Sequence, residues 1–261
     1  MDETSLLSLK AAADARDLNY GGLLEDILEL AYTDILKPGD RVVDGGAHIG
    51  RHLFPIAKLV GRWGHVHAVE PLPWLYDRLG RELKKRHLHN VKRHRVALSH
   101  SRGEASFVAF RDFPAYSGLE RRQTPFDDAE GGRETITVQK VLMDDLVPRF
   151  FGKVAFIKLD LEGGEFDALR GATRTLTKSR PFLAFECGRQ SSGNLYGFNR
   201  DDFFGFFETH GYALYSVGGM PFTRDDWSSP SVCWDYFGVP VERTDIPPRL
   251  PQYAIERLAS L

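Results

Sequence analysis

Long apolar runs are missing from this sequence of 261 residues. No stretch approaches the roughly 20 apolar residues of a membrane-spanning helix, so we expect no membrane span. Residues 1–5 lack the basic start and apolar segment of a signal peptide, which predicts a cytoplasmic protein. Only two cysteines, Cys187 and Cys233, are present, so the sequence indicates neither a disulfide framework nor a cysteine zinc site.

An excess of charge of one sign is also missing. The formal net charge of −2 gives no global attraction to nucleic acid or to anionic lipid, so neither is an expected partner. Hydrophobic residues make up 42% of the chain, which is enough for a packed core and argues against disorder. The composition therefore indicates a soluble globular protein, and it leaves the oligomeric state open.

Strands and helices are predicted to alternate along most of the chain. Short apolar segments predict strands at 41–44, 65–70, 91–98, 104–110, 135–141, 154–160, 181–186, 212–217 and 234–239. Helical spacing of apolar residues predicts helices at 3–15, 21–36, 49–60, 73–86, 165–177 and 201–210. This alternation predicts a doubly wound, Rossmann-like α/β fold, with about seven mostly parallel strands and helices on both faces of the sheet.

The same pattern suggests how the chain is divided. We predict an N-terminal helical extension at 1–40, a main domain at 41–240 and a C-terminal tail at 241–261. A polar loop rich in glycine and arginine, at 111–134, interrupts the alternation as an insertion. Such a loop is either a lid that orders over a substrate or a surface loop without fixed structure.

A glycine-rich turn follows the first predicted strand. Gly45, Ala47 and Gly50 fit the spacing G-x-G/A-x-x-G, in which small residues let the backbone turn sharply and approach a ligand. Many strand-to-helix turns are glycine-rich for packing alone, so the turn by itself assigns nothing. Glu70 ends the second predicted strand, where a carboxylate can accept hydrogen bonds from both ribose hydroxyls of an adenosine. Turn and acid together predict an adenosine-containing cofactor.

Asp44, immediately before the turn, distinguishes between two such cofactors, NAD and S-adenosylmethionine. A carboxylate there would repel the diphosphate of NAD at the helix N-terminus. It would attract S-adenosylmethionine, which carries an ammonium and a sulfonium. The residues therefore favour S-adenosylmethionine.

Several further blocks resemble the FkbM family of methyltransferases. They are VVDGGAHIG at 42–50, HAVEP at 67–71, VALS at 96–99, IKLDLEGGE at 157–165, LRGA at 169–172 and RPFLAFE at 180–186. The block at 157–165, close to the family's I-K-I-D-V-E-G-x-E, is the most diagnostic of them. The sequence departs from the family at His48, where asparagine is usual.

The resemblance implies a set of cofactor-binding residues. They are Asp44, Gly45, Gly46, Ala47, His48 and Gly50 at the methionine end, Glu70 and Pro71 at the ribose, Ala97 and Leu98 at the adenine, and Asp160 near the transferred methyl.

The resemblance also implies transfer of a methyl group from S-adenosylmethionine to a hydroxyl of a small molecule, such as a sugar or secondary metabolite. A glycosylated or peptide acceptor would also suit the family. The alternatives are an N-methyltransferase acting on a peptide or amine, an NAD-dependent oxidoreductase, and a cofactor-binding protein that has lost transfer activity.

Three carboxylates are candidates for catalysis. Ligands of doubly wound sheets bind outside the carboxyl ends of the strands, where Asp160 and Glu186 are predicted to lie. We predict that Asp160 is a general base or orients the acceptor, with Glu186 and Glu162 as rivals. No motif demands a metal, although clustered carboxylates do not exclude one.

Overall fold

The structure, a computed structural model, describes residues 4–114, 117–119, 133–148 and 152–261. Its main sheet has seven strands: β1 (Arg41–Gly45), β2 (His65–Val69), β3 (Val91–His94), β7 (Val154–Leu159), β8 (Phe182–Glu186), β9 (Tyr212–Ser216) and β10 (Asp235–Pro240). Their order across the sheet is β3-β2-β1-β7-β8-β10-β9. β10 is antiparallel to both of its neighbours, and the pairings from β3 to β8 are parallel. The predicted sheet of about seven mostly parallel strands is confirmed.

A second, smaller sheet is built from β4 (Ala97–Leu98), β5 (Gly103–Phe110) and β6 (Arg133–Val141), in the order β4-β6-β5. The single strand predicted at 91–98 is therefore wrong in extent, since the chain leaves the main sheet after His94 and pairs with β6 at Ala97. Apolar burial accounts for the departure: Ala97 packs with Leu72 and Phe107 in a separate apolar cluster.

Ten helices are found in the described part of the chain. They are α1 (Thr4–Ala15), α2 (Tyr20–Ile35), α3 (Leu53–Val60), α4 (Pro73–Lys85), α5 (Met143–Leu146), α6 (Glu165–Arg170), α7 (Thr173–Ser179), α8 (Gln190–Tyr196), α9 (Arg200–Thr209) and α10 (Leu250–Ala259). Among the described residues, no helix has both the length and the apolar character needed to span a bilayer.

The two faces of the main sheet carry separate cores, because successive strand residues point to opposite sides. Val42, Phe156 and Phe237 point to the face that α1, α2, α3 and α10 cover. Ile157 and Phe185 point to the other face, which packs against α6, α7 and α9. Helices therefore cover both faces, as predicted.

The helix predicted at 165–177 is in fact two helices. A Cβ at Gly171 would lie 2.2 Å from the carbonyl oxygen of Ser99, so the chain passes very close to its neighbour there. The carboxylate of Asp144 then accepts the backbone N–H groups of Arg174 at 2.8 Å and Thr175 at 2.9 Å. This cap starts a new helix, α7, after the close approach.

The terminal helices are tied together by charged side chains. Nε of Arg257 in α10 donates to Oδ2 of Asp26 in α2 at 2.9 Å, and Nη2 of Arg51 donates to Oδ1 of Asp26 at 2.6 Å. Asp26 thus connects α10 and α2 with the segment that follows the glycine turn.

Candidate active site

The glycine turn packs directly on the end of β7. Gly46 has a φ of +77°, and a Cβ there would lie 1.8 Å from the carbonyl oxygen of Asp160. The backbone N–H of Asp160 donates to the carbonyl of Gly45 at 3.1 Å. Only glycine fits at position 46. The contact brings Asp160 against the turn.

His48 adopts a left-handed backbone conformation, with a φ of +46°. Asparagine and histidine are among the residue types that tolerate this region best, which accounts for histidine at a position where the family usually has asparagine. The backbone N–H of His48 donates to Oε2 of Glu70 at 2.9 Å. The substitution therefore preserves the shape of the turn.

Glu70 is held by two backbone groups. Its Oε2 accepts from His48, and its Oε1 accepts from the N–H of Leu72 at 2.9 Å. Burial raises the pKa of this carboxyl to about 7, although the two hydrogen bonds work in the opposite direction. Each carboxylate oxygen has a second lone pair, so Glu70 can still accept hydrogen bonds from a ligand.

An apolar cavity of about 100 Å³ adjoins Glu70. Its lining includes the predicted residues Pro71, Ala97 and Leu98, Ser117 and Leu119 from the predicted loop at 111–134, Tyr196, and Phe107, which sequence reasoning missed. Part of the predicted loop at 111–134, namely 115–116 and 120–132, lies outside the described residues. The apolar part of this lining suits an aromatic base.

A larger, polar cavity of about 730 Å³ lies on the other side of the turn. The two cavities share Gly46, His48, Asp160 and Glu162 as lining residues, so they adjoin at the end of β7. We call the larger one the acidic cavity, because its lining includes the carboxylates Glu25, Asp44, Asp160, Glu162, Glu165 and Glu186.

Strand register explains why so many of these groups converge. Asp44 in β1 is paired with Lys158 in β7, and Lys158 is paired with Ala184 in β8. Asp160 and Glu186 lie two residues beyond Lys158 and Ala184, so they share the same face. Glu186 is in turn directly opposite Asp235 in β10. Four carboxylates and one ammonium therefore lie on one face near the carboxyl ends of the parallel strands.

Lys158 supplies positive charge to this cluster. Its Nζ donates to Oδ2 of Asp160 at 3.1 Å, and the side chain is 6% exposed. Burial by itself would lower the pKa of the ammonium, but the carboxylates of Asp160, Asp44 and Glu25 raise it overall. Lys158 therefore stays charged and neutralises part of the cluster.

Negative charge nevertheless remains in excess. Asp44 is 1% exposed, and neither of its carboxylate oxygens has a hydrogen-bond partner among the described residues. Burial raises the pKa of Asp44. Burial, together with the charge of Asp160, also raises the pKa values of Glu186 and Asp235. Unpaired buried carboxylates are costly, so this cavity is suited to a cationic ligand.

The predicted residues line the acidic cavity, the apolar cavity, both of them, or neither. Those lining the acidic cavity are Asp44, Gly46, Ala47, His48, Asp160, Glu162 and Glu186. Those lining the apolar cavity are Gly46, His48, Glu70, Pro71, Ala97, Leu98, Asp160 and Glu162. Gly45 and Gly50 line neither, and they lie against the side chains of Leu159 and Phe54 respectively.

Glu25 is a site residue that sequence reasoning missed. Its carboxylate is hydrogen-bonded to Nε2 of His52, and Nδ1 of that ring lies 3.2 Å from the hydroxyl of Tyr32. Burial raises the pKa of Glu25, but the contacts with His52 outweigh it and bring the pKa to about 2. The available signal was its spacing, since Glu25 falls on the same helical stripe as the buried Leu28 and Tyr32.

Comparisons with known proteins give one match at the sequence level. A family profile described as the methyltransferase FkbM domain matches residues 44–214. No curated protein matches the chain.

Three solved structures that resemble this chain are distant from it in sequence. An FkbM methyltransferase from Methylobacillus flagellatus is 17% identical, with 79% of this chain and 49% of that chain covered and a TM-score of 0.47. This chain thus spans about half the length of that protein. A putative rRNA methylase from Clostridium thermocellum is 12% identical, with 79% and 88% covered and a TM-score of 0.44. An S-adenosylmethionine-dependent methyltransferase from Aquifex aeolicus is 15% identical, with 82% and 97% covered and a TM-score of 0.39.

Proposed function

The chain belongs to the FkbM methyltransferase family, and we propose from this premise that it transfers a methyl group from S-adenosylmethionine to a hydroxyl of a small molecule such as a sugar or secondary metabolite. The observation that carries the proposal is the buried carboxylate of Asp44, whose oxygens have no hydrogen-bond partner among the described residues and which lines the acidic cavity at the start of the glycine turn.

The residues present fit this cofactor at three points. The apolar cavity beside Ala97 and Leu98 would hold the adenine, and Glu70 would accept the ribose hydroxyls. Asp44 would attract the ammonium of the methionine end, directly or through water, since its oxygens have no hydrogen-bond partner in the described residues. A dinucleotide diphosphate in the same place would add negative charge beside Asp44, which disfavours NAD.

The acidic cavity supplies the groups that would act on the acceptor. When bound, S-adenosylmethionine supplies an electrophilic methyl group on sulfur, and its transfer leaves a neutral thioether. Asp160 lines both cavities, so it would contact an acceptor hydroxyl at the point where cofactor and acceptor meet. Holding the two reactants in line can lower the barrier by up to about 7–11 kcal/mol.

The hydroxyl must also lose its proton as the new carbon–oxygen bond forms. Asp160 would take that proton, which accelerates such reactions by about a hundredfold or more. Lys158 holds one oxygen of Asp160 through its Oδ2 contact and leaves Oδ1 for the acceptor. Glu186 and Glu162 line the same cavity and are the rival bases.

Two measurements test the proposal. Isothermal titration calorimetry should show binding of S-adenosylmethionine and no comparable binding of NAD. A mass-spectrometric screen of hydroxyl- and amine-bearing small molecules should then show the mass gain of one methyl group, on hydroxyl acceptors first. Binding of NAD in preference to S-adenosylmethionine would refute the cofactor assignment. Methylation confined to amines would refute the acceptor assignment alone.

A further inference from the structure

We propose that Glu25, Asp160 and Glu186 form a binding site for a hard divalent cation, of the Mg²⁺ or Mn²⁺ class, inside the acidic cavity. The three residues come from α2, from the end of β7 and from the end of β8, so no sequence motif could have revealed them together. Binding of the cation does not depend on the proposed function, whereas the role suggested for it below rests on that function.

The spacing of the three carboxylates suits a metal ion. One carboxylate oxygen from each residue lies within 4.8 Å of one from each of the others. Metal–oxygen distances of about 2.0–2.6 Å place oxygens on opposite sides of an ion about 4–5 Å apart. All three donors are carboxylate oxygens, which hard cations prefer over softer metals such as zinc or copper.

Two buried carboxylates beside this cluster provide the second, independent observation. Asp235 is 3% exposed, and its Oδ2 has no hydrogen-bond partner in the described part of the chain. It lies directly opposite Glu186 in the antiparallel pair, so both side chains point to the same face. Asp44 lines the same cavity with both oxygens unpaired. A cation among these groups would offset their burial in a way that Lys158 alone does not.

The proposed ligands are also held in position by neighbouring groups. Glu25 is hydrogen-bonded to His52, which contacts Tyr32, and Nε of Arg51 lies 3.7 Å from its Oε2. Asp160 is held through Oδ2 by Lys158, and its Oδ1 has two lone pairs, so Oδ1 can contact both the ion and an acceptor hydroxyl. Metal-binding carboxylates in proteins are commonly fixed by such hydrogen bonds.

The cation bears on the choice of acceptor atom. If the protein acts as proposed above, the ion would lie where the acceptor enters and would bind its oxygen, which lowers the pKa of a hydroxyl. Hard cations bind oxygen in preference to amine nitrogen. The site therefore favours hydroxyl acceptors.

Titration with Mn²⁺, followed by the electron paramagnetic resonance signal of the free ion, tests the site in protein first treated with EDTA and dialysed. We expect one Mn²⁺ per chain, displaced by Mg²⁺. Glu25→Gln and Glu186→Gln should each weaken Mn²⁺ binding by at least about tenfold. Glu29→Gln, one turn further along α2 at a separate surface depression, is the matched control and should bind Mn²⁺ like the wild type.

Two results would overturn the site. One is wild-type protein that binds no stoichiometric Mn²⁺, whatever the variants do. The other is binding that neither Glu25→Gln nor Glu186→Gln weakens. Calorimetry with S-adenosylmethionine in EDTA keeps this outcome separate from the proposed function. Cofactor binding without Mn²⁺ binding refutes only the metal site, and Mn²⁺ binding without cofactor binding refutes only the function.

Discussion

We expect that replacing Glu70 by glutamine weakens cofactor binding but leaves the free energy of unfolding nearly unchanged at pH 8. Hydrogen bonds to a charged group contribute about 1.5–3 kcal/mol each, so the loss of one ribose contact weakens binding by about 10- to 150-fold. The amide has a single oxygen, and its NH₂ group would face one of the two backbone N–H donors, from His48 or Leu72. Calorimetry with S-adenosylmethionine at pH 8 measures the loss.

The same substitution removes a buried charge. The pKa of Glu70 rises from 4.5 to about 7 in the folded protein, so between these values the folded state binds more protons than the unfolded state. Ionisation of Glu70 therefore reduces the free energy of unfolding as pH rises from 4.5 to 7, by about 3 kcal/mol in total. Above pH 7 the variant loses a hydrogen bond but escapes this cost, so thermal unfolding should show little destabilisation.

Dependence on pH provides the control. In the wild type, affinity for S-adenosylmethionine should fall as pH drops below about 7, by up to about tenfold per pH unit, because the free protein then holds a proton on Glu70. The glutamine variant should lack this dependence. The reasoning about Glu70 is refuted if the variant binds as tightly as the wild type, or if both proteins follow the same pH profile.

Three further substitutions test other parts of the site. Asp44→Asn should weaken S-adenosylmethionine binding at least about tenfold. The same variant should raise the melting temperature of the ligand-free protein at pH 8 but not near pH 4. The reason is that burial raises the pKa of Asp44 and makes its ionised form costly. Gly46→Ala should destabilise the protein by at least about 2 kcal/mol in denaturant unfolding, whereas Gly205→Ala, in open space within α9, should stabilise it by about 0.5–1 kcal/mol. Asp160→Asn should keep most cofactor affinity in calorimetry and lose about a hundredfold or more in turnover; full turnover would mean that Asp160 is not the base.

The residues that we propose to bind the cofactor could be identified from the sequence because their signals are local. The turn at 44–50 and Glu70 follow predicted strands directly, and the parallel sheet brings strand ends to one edge. Glu70 could therefore be placed beside the turn from neighbouring residues alone, whereas the left-handed backbone at His48 was not predicted.

The acidic cavity was only partly predictable. Asp160, Glu162 and Glu186 follow the ends of predicted strands, but other lining residues come from distant segments. Glu25 reaches the cavity only because α2 packs on the sheet, and Trp234, which immediately precedes β10, lines the same cavity. The break at Gly171 was missed for a similar reason, since it depends on the carbonyl of Ser99 rather than on helix propensity. Helical spacing places Glu25 on the buried stripe of α2, but no pattern in the sequence shows which distant residues it will meet.

The tie between Arg257 and Asp26 has a consequence for how the protein is made on the ribosome. Asp26 directly follows Glu25, so the helix that carries Glu25 is secured by a segment translated more than two hundred residues later. α2 therefore gains this contact only after residues 250–259 have left the exit tunnel. During synthesis, the described residues that line the apolar cavity, the last of them Tyr196, are all translated before the helix that secures α2 beside the acidic cavity.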